Sequence, residues 1–167
     1  MTLKVTIVNA VELQKNLIKL TDVAKEKIQH AVFKSVADVE KDMKLSLTSG
    51  AKSGRTYKRY NPKRIHKASA PGEAPASDTG YLLNNISRKI DPDGMGGEVG
   101  TSQSVKYAKM LEYGTSKMQP RPFLFPALEK NKAKITDRIN KAFAFAVRSA
   151  KKWQTIALNY RKLYTLH

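Results

Sequence analysis

The stretch that most restricts the fold is LEYGTSKMQPRPFLFPALEK, residues 111–130. Glu112-Tyr113-Gly114-Thr115 reads as the close of a helix, with Gly114 free to take a positive φ at no steric cost. Pro120 and Pro122 fix two φ angles at about −65° and restrict the residues before them. The segment is therefore short of conformations even in the unfolded chain, which lowers the entropy cost of holding it in place. Phe123, Leu124 and Phe125 follow directly, and burying each would stabilise a fold by roughly 1.5–3 kcal/mol. A stiff, apolar hinge fits a corner where two helices meet a sheet. The plain reading is a core corner. The sharper one is a subunit interface, because three consecutive apolar side chains cannot all point at one core.

The rest of the chain supplies the helices and the sheet. LKVTIVN alternates Leu3, Val5 and Ile7 against Lys4, Thr6 and Val8, which predicts a short strand. A helical pattern runs through Leu13, Leu17, Leu20, Ala24, Ile28, Ala31, Val32, Val36, Val39, Met43 and Leu47. It bends, or breaks near Thr21-Asp22 where Thr21 could cap a new helix, and Gly50 stops it. Asp78 or Thr79 starts a short helix bearing Leu82, Leu83 and Ile86. ISRKI and GEVGT read as paired strands joined by the turn Asp91-Pro92-Asp93-Gly94. SVKYAKMLEYG is a short helix with Val105, Ala108 and Leu111 on one side. From Pro126 to Trp153 a long helix carries Leu128, Ile135, Ile139, Ala142, Phe143, Ala146, Val147, Ala150 and Trp153 on one stripe.

These elements predict one α+β domain over residues 1–153. A small antiparallel sheet packs with a long N-terminal helix and a C-terminal helix. Residues 154–167 form an extension that continues the last helix or docks separately. Residues 48–77 are expected to be a long, mobile basic loop, with a strand at Thr56–Tyr60.

Charge separates two functional readings. The chain carries 31 Lys and Arg against 14 Asp and Glu, a formal +17, so a lone subunit repels itself. Nucleic acid or an acidic protein surface would relieve that. The excess concentrates in the loop: residues 51–67 hold seven Lys or Arg and no acid. Lys52, Arg55, Lys58, Arg59, Lys63, Arg64 and Lys67 interleave with Tyr57 and Tyr60. Cations neutralise phosphates and aromatics stack on bases, so these nine residues are candidate contacts to DNA or to an acidic partner; a solvated loop is the plain alternative.

Catalysis finds no support in the sequence. His30, His66 and His167 are scattered, and no metalloprotease, nucleophile-elbow or phosphate-loop spacing appears. Asp91 and Asp93 belong to turn chemistry. With no cysteine there are neither disulfides nor thiolate metal sites. The expectation is a non-enzyme without cofactor or metal. No apolar run approaches the length of a membrane span and the N-terminus lacks a signal-peptide core, so a soluble product of the cytoplasm is expected, without a membrane partner.

The corner also carries a family resemblance. YAKMLEYGTSKMQPRPFLFPALEK resembles a pattern in small neck and tail-completion proteins of long-tailed bacteriophages, the head–tail joining or minor tail proteins. The pattern is carried here by Tyr107, Ala108, Glu112, Gly114, Thr115, Pro122, Phe123, Pro126 and Ala127. Upstream, PGEAPASDTGYLLNNI is similar to the same family through Pro71, Gly72, Pro75, Thr79, Gly80, Leu82 and Ile86, with Asn85 where serine is common. The matched region runs from about residue 68 to 130.

The resemblance implies a non-catalytic α+β virion structural protein, made in the host cytoplasm and built into the neck or tail. It implies a homo-oligomeric ring, often a hexamer, at the head–tail junction or tail end. Such a ring has the head connector or adaptor and the tail tube or tail terminator as partners, with genomic DNA passing through the channel. On this reading Glu112, Tyr113, Pro122, Phe123, Leu124, Phe125 and Phe145 are the candidate interface. Phe145 falls off the apolar stripe beside Arg138, Lys141 and Arg148, and Phe33 is displaced in the same way on the first helix. The alternative is a basic nucleic-acid-binding domain of ribosomal or single-strand-binding type.

Overall fold

The computed structural model describes residues 2–5, 22–60 and 63–164, with side chains described for 22–60 and 63–149. Ile7 and Val8 of the expected strand, Leu13, Leu17 and Leu20 of the expected helix, and the expected Thr21 cap lie outside the described residues, as do the side chains of Ala150 and Trp153. The elements run β1 (Thr2–Val5), α1 (Asp22–Thr48), β2 (Thr56–Tyr60), β3 (Lys63–Lys67), α2 (Tyr81–Asn84), β4 (Ile86–Ile90), β5 (Gly97–Thr101), α3 (Ala108–Tyr113) and α4 (Phe125–Tyr164). The fold is α+β: α1 packs on a small antiparallel sheet, and α4 packs against α1.

Helix α1 buries the stripe that its sequence spacing marks. Ala24, Ile28, Ala31, Val32, Val36, Val39, Met43 and Leu47 are all buried. Asp22 puts a negative charge in the first turn, where the helix dipole favours it. At the other end the Ser49 amide donates to Leu45 O, and Gly50 leaves the helix at φ 85°.

The main sheet has the order β1-β5-β4 and is antiparallel throughout. Thr2 pairs with Gly100 and Val5 with Gly97 on one side of β5, while Ile86 pairs with Thr101 and Ile90 with Gly97 on the other. The β4–β5 turn closes through the Gly94 amide to Asp91 O at 2.8 Å and the Met95 amide to Asp93 Oδ1 at 2.9 Å. Gln29 of α1 donates to Asp93 O, which ties the turn to the helix. Val99 and Ile86 face α1 and join the core around Val36, Val39 and Met43.

Helix α4 lies antiparallel to α1, and polar pairs set the register. Asp42 accepts hydrogen bonds from Lys130 and Asn131, while Arg138, two turns along α4, donates to Asp38 and Ser35, earlier in α1. The acids stand on α1 and their bases on α4, so a slipped register would leave carboxylates unpaired. Burial pushes Asp42 up, but hydrogen bonds from Lys130 and Asn131 outweigh it and hold the carboxyl below its ordinary value. A second small core of Ala24, Ile28, Ala31, Met95, Ala142 and Ala146 continues the contact.

Helix α4 has 40 residues, a length of about 60 Å. It runs unbroken through the expected boundary at residue 153, so Thr155–Tyr164 extend the helix and do not form a separate unit. Its apolar stripe needs one correction: Val147 is exposed, because Ala146, one position before it, takes the place against α1.

Residues 48–77 are also corrected. The strand expected at Thr56–Tyr60 is present, but Lys63–Lys67 is a strand as well, and the two form a hairpin with its own two-stranded sheet. The root is hydrogen-bonded: the Gly54 amide donates to Ala68 O and the Ala68 amide to Arg55 O, both at 3.0 Å. Any Cβ at Gly54 would meet Ser69 O at 2.5 Å, so the crossing requires glycine.

Candidate functional site

Two regions carry the candidate residues: the corner between α3 and α4, and the β2–β3 hairpin.

The corner is organised by Glu112. Gly114 ends α3 at φ 76°, where a Cβ would come within 2.7 Å of Met118 O. A tight turn follows, with the Thr115 amide donating to Met118 O at 2.7 Å. Arg121 N then donates to Leu111 O, and Gly72 N to Pro120 O, so the prolines lie back along α3 and the loop before α2. This return brings the start of α4 onto the Glu112 carboxylate. One oxygen accepts from the amides of Phe123 and Leu124 at 2.9 and 3.0 Å, and the other from Phe125 at 2.8 Å.

Glu112 is therefore a cap supplied from outside the helix. The first amides of a helix have no partner within it, and its N-terminus carries partial positive charge. A buried carboxylate would be costly alone, but three charge-assisted hydrogen bonds offset its desolvation. Asn131 does a related task one turn on: buried to 1% exposure, it bridges Asp42 and the carbonyl of Ala127.

The interface candidates divide accordingly. Glu112, Phe123 and Leu124 are buried inside the chain, at 4%, 1% and 1% exposure, so none of them is a surface that a neighbour could cover. The expectation that they face another subunit is corrected: the backbone turn sends two of the three apolar residues inward. Phe125 is the third, and it stays 45% exposed. Pro122 is half-buried, and Tyr113 and Phe145 are exposed. Met110 is exposed on the same short helix as Tyr113, and Tyr107 is exposed at that helix's N-cap. Phe33 is exposed too, but the Arg88 guanidinium stands over its ring at 5.0 Å. That guanidinium also donates to Glu40, on which burial acts upward while hydrogen bonds from Lys44 and Arg88 win and hold it below its ordinary value.

Seven of the nine basic-segment candidates lie on the two strands and divide by face, while Lys52 and Arg55 precede β2. Cross-strand partners share a face of a sheet and alternate along each strand. The register pairs Tyr57 with His66 and Arg59 with Arg64 on one face, and Thr56 with Lys67, Lys58 with Ile65 and Tyr60 with Lys63 on the other. The first face turns inward, onto Asp78. Arg59 and Arg64 each approach its carboxylate at 2.7 Å, and His66 Nδ1 lies 3.6 Å away. Lys52 is also held by the fold, donating to Ser46 O and Ala74 O. Arg55 lies 5.8 Å from the Tyr57 ring centre. Glu73 secures the root: its carboxylate accepts from the Ser53 hydroxyl and from the amides of Ser53 and Ala70. Those three bonds lower its pKa from an ordinary 4.5 to about 2.

No family model, curated protein or solved structure matches the chain. The geometry of the two regions therefore carries the functional reading.

The second face of the hairpin has no such restraint. Lys58, Tyr60, Lys63, Ile65 and Lys67 are all exposed, Tyr60 at 82% and Ile65 at 72%. Among the described residues no carboxylate pairs with these three lysines. The division of residues 51–67 into two faces is not visible in the sequence, because strand Lys63–Lys67 and its register were needed first. Neither Asp78 as the anchor nor Glu112 as a cap was legible there either. The signal for Glu112 was present only as an acid followed thirteen residues later by the helix start Phe125-Pro126.

Among the described residues, no group of three or more His, Asp or Glu could hold a metal ion, and no helix is long and apolar enough to cross a membrane.

Proposed function

We propose that this chain is a structural subunit of a tailed-bacteriophage particle, assembling as a ring at the head–tail junction or tail end. The proposed partners are other copies of itself, as a hexamer, together with the head connector and the tail tube or terminator.

The observation that carries the reading is the corner. Phe125 remains 45% exposed directly beside two sealed residues, and Tyr107, Met110 and Tyr113 are 42–53% exposed at the N-cap and along the helix that leads into it. Four large apolar residues exposed within nineteen positions of one rigid turn favour a surface that another subunit covers. The sequence motif supports the same reading, and its residues have physical roles here. Glu112 caps α4, Gly114 makes the turn, Phe123 anchors the corner and Ala127 fits against α1.

Sedimentation of the full chain across a wide concentration range, with negative-stain imaging of the largest species, tests this. Rings are expected, and Tyr113→Asp with Phe125→Asp should leave a folded monomer. Phe145→Asp is expected to weaken assembly by less. A chain that stays monomeric at its solubility limit, alone and mixed with connector and tube proteins, would overturn the proposal.

A further inference from the structure

We infer that the outward face of the β2–β3 hairpin is a binding surface for the sugar–phosphate backbone of nucleic acid, read without regard to sequence. The inference does not depend on ring assembly.

The geometry is that of a two-stranded ribbon whose two faces have opposite tasks. The inward face is tied to Asp78 through Arg59 and Arg64, and this fixes the ribbon's orientation on the body of the protein. The root is held by Glu73, Lys52 and the backbone bonds at Gly54. The outward face is then presented as a rigid surface. On it Lys58 is diagonal to both Lys67 and Lys63 in the register. Diagonal neighbours on one face of an antiparallel pair are about 7–8 Å apart, so the three ammonium groups form a zig-zag along the ribbon.

Charge complementarity selects the partner. No acid interrupts residues 51–67, so the face attracts polyanions without regard to fine detail. Lysine is a flexible point charge that suits phosphate oxygens, and neutralising phosphates releases condensed counterions. Tyr60 and Ile65 lie between the lysines as the most exposed large apolar residues among those described. An aromatic ring between phosphate-binding cations is the composition of a stacking surface, since every base offers a π-face. An acidic protein would satisfy the lysines but give Tyr60 no such partner. The inward arginines, the better residues for paired, bidentate recognition, are the ones already used on Asp78. What remains outside is suited to contact that ignores sequence.

The test is binding of the full chain to two oligonucleotides of equal length and unrelated sequence, titrated with salt. Equal affinities are expected, falling steeply as salt rises. Lys58→Gln, Lys63→Gln and Lys67→Gln combined should reduce the slope of log K against log salt by about 2 to 3. Tyr60→Ala should weaken binding to an unpaired strand more than to a duplex. The charge-matched control Lys25→Gln, Lys27→Gln and Lys109→Gln removes three exposed lysines elsewhere and should leave the slope nearly unchanged. Thermal melts of both triple variants identify any loss that comes from unfolding. Absence of binding, an equal loss in the control, or tighter binding to polyglutamate than to nucleic acid would each overturn the inference.

Discussion

The corner and the hairpin each depend on one carboxylate, and the contrast lies in what surrounds it. Glu112 is 4% exposed and meets three backbone amides at the start of α4. Asp78 meets two guanidiniums and an imidazole. Backbone amides carry no net charge, so the Glu112 arrangement closes on itself and contributes to the fold. Arg59 and Arg64 outnumber the single acid between them, and the lysines on the other face are added to that surplus. The hairpin is therefore anchored and still strongly positive. One region uses its acid to complete a structure; the other uses its acid to hold a ribbon that keeps a positive surplus.

The largest test of this comparison is at the corner. Glu112→Ala should destabilise the protein by about 4 kcal/mol, because three amides lose their acceptor and two of those bonds are buried. That corresponds to a fall in melting temperature of roughly 10 °C for a chain of this size. Glu112→Gln should recover part of it, since one carbonyl oxygen remains while the amide nitrogen opposes an N–H. An unchanged melt would mean that α4 does not need the cap.

A smaller effect is expected at the hairpin. Asp78→Asn should cost about 1 kcal/mol or less, because Arg59 is more than half exposed and solvent screens the pair. Its mark should be local: faster amide exchange across Thr56–Lys67, with the exchange of α1 and α4 unaltered. A global loss as large as that of Glu112→Ala would erase the distinction between the two regions.

The smallest effect concerns the hairpin root. Glu73 is depressed in the folded state to about 2. A depressed carboxyl contributes fully above its unfolded value, and the contribution is lost as pH falls through the folded value. The tie should thus be complete above about pH 4.5 and released progressively towards pH 2. Amide resonances of Ser53 and Ala70 should titrate with a midpoint near 2, and Glu73→Gln should abolish that step. A midpoint near 4.5 would show that the root is open in solution.

Much of the architecture was legible in the sequence because it is written in local periodicity. The stripe from Ala24 to Leu47 gave α1, the run after Pro126 gave α4, and Asp91–Gly94 gave the turn between β4 and β5. Thr56–Tyr60 was legible by its aromatic and β-branched residues. Lys63–Lys67 was not: KRIHK has one β-branched residue among four cationic or titratable ones, and only pairing with β2 makes it a strand. Asn131, Ser35 and Glu40 look like surface residues in sequence and are buried, because each finds its partner across the α1–α4 or α1–β4 contact. Within the candidate interface the sequence could not separate the sealed Glu112, Phe123 and Leu124 from the exposed Tyr113 and Phe125.

The sequence by itself determined where the helices lie, where the chain turns, and that positive charge gathers between Lys52 and Lys67. Those properties depend on residues a few positions apart, which meet whatever the rest of the chain does. Only the tertiary structure decided that Phe123 and Leu124 are sealed while Phe125 is not, that Arg59 and Arg64 face Asp78, and that Lys58, Lys63 and Lys67 face outward. Each of these depends on a partner eleven or more residues away, or on which side of a two-residue period a strand presents. A one-residue shift in register would exchange the hairpin's two faces without changing its composition.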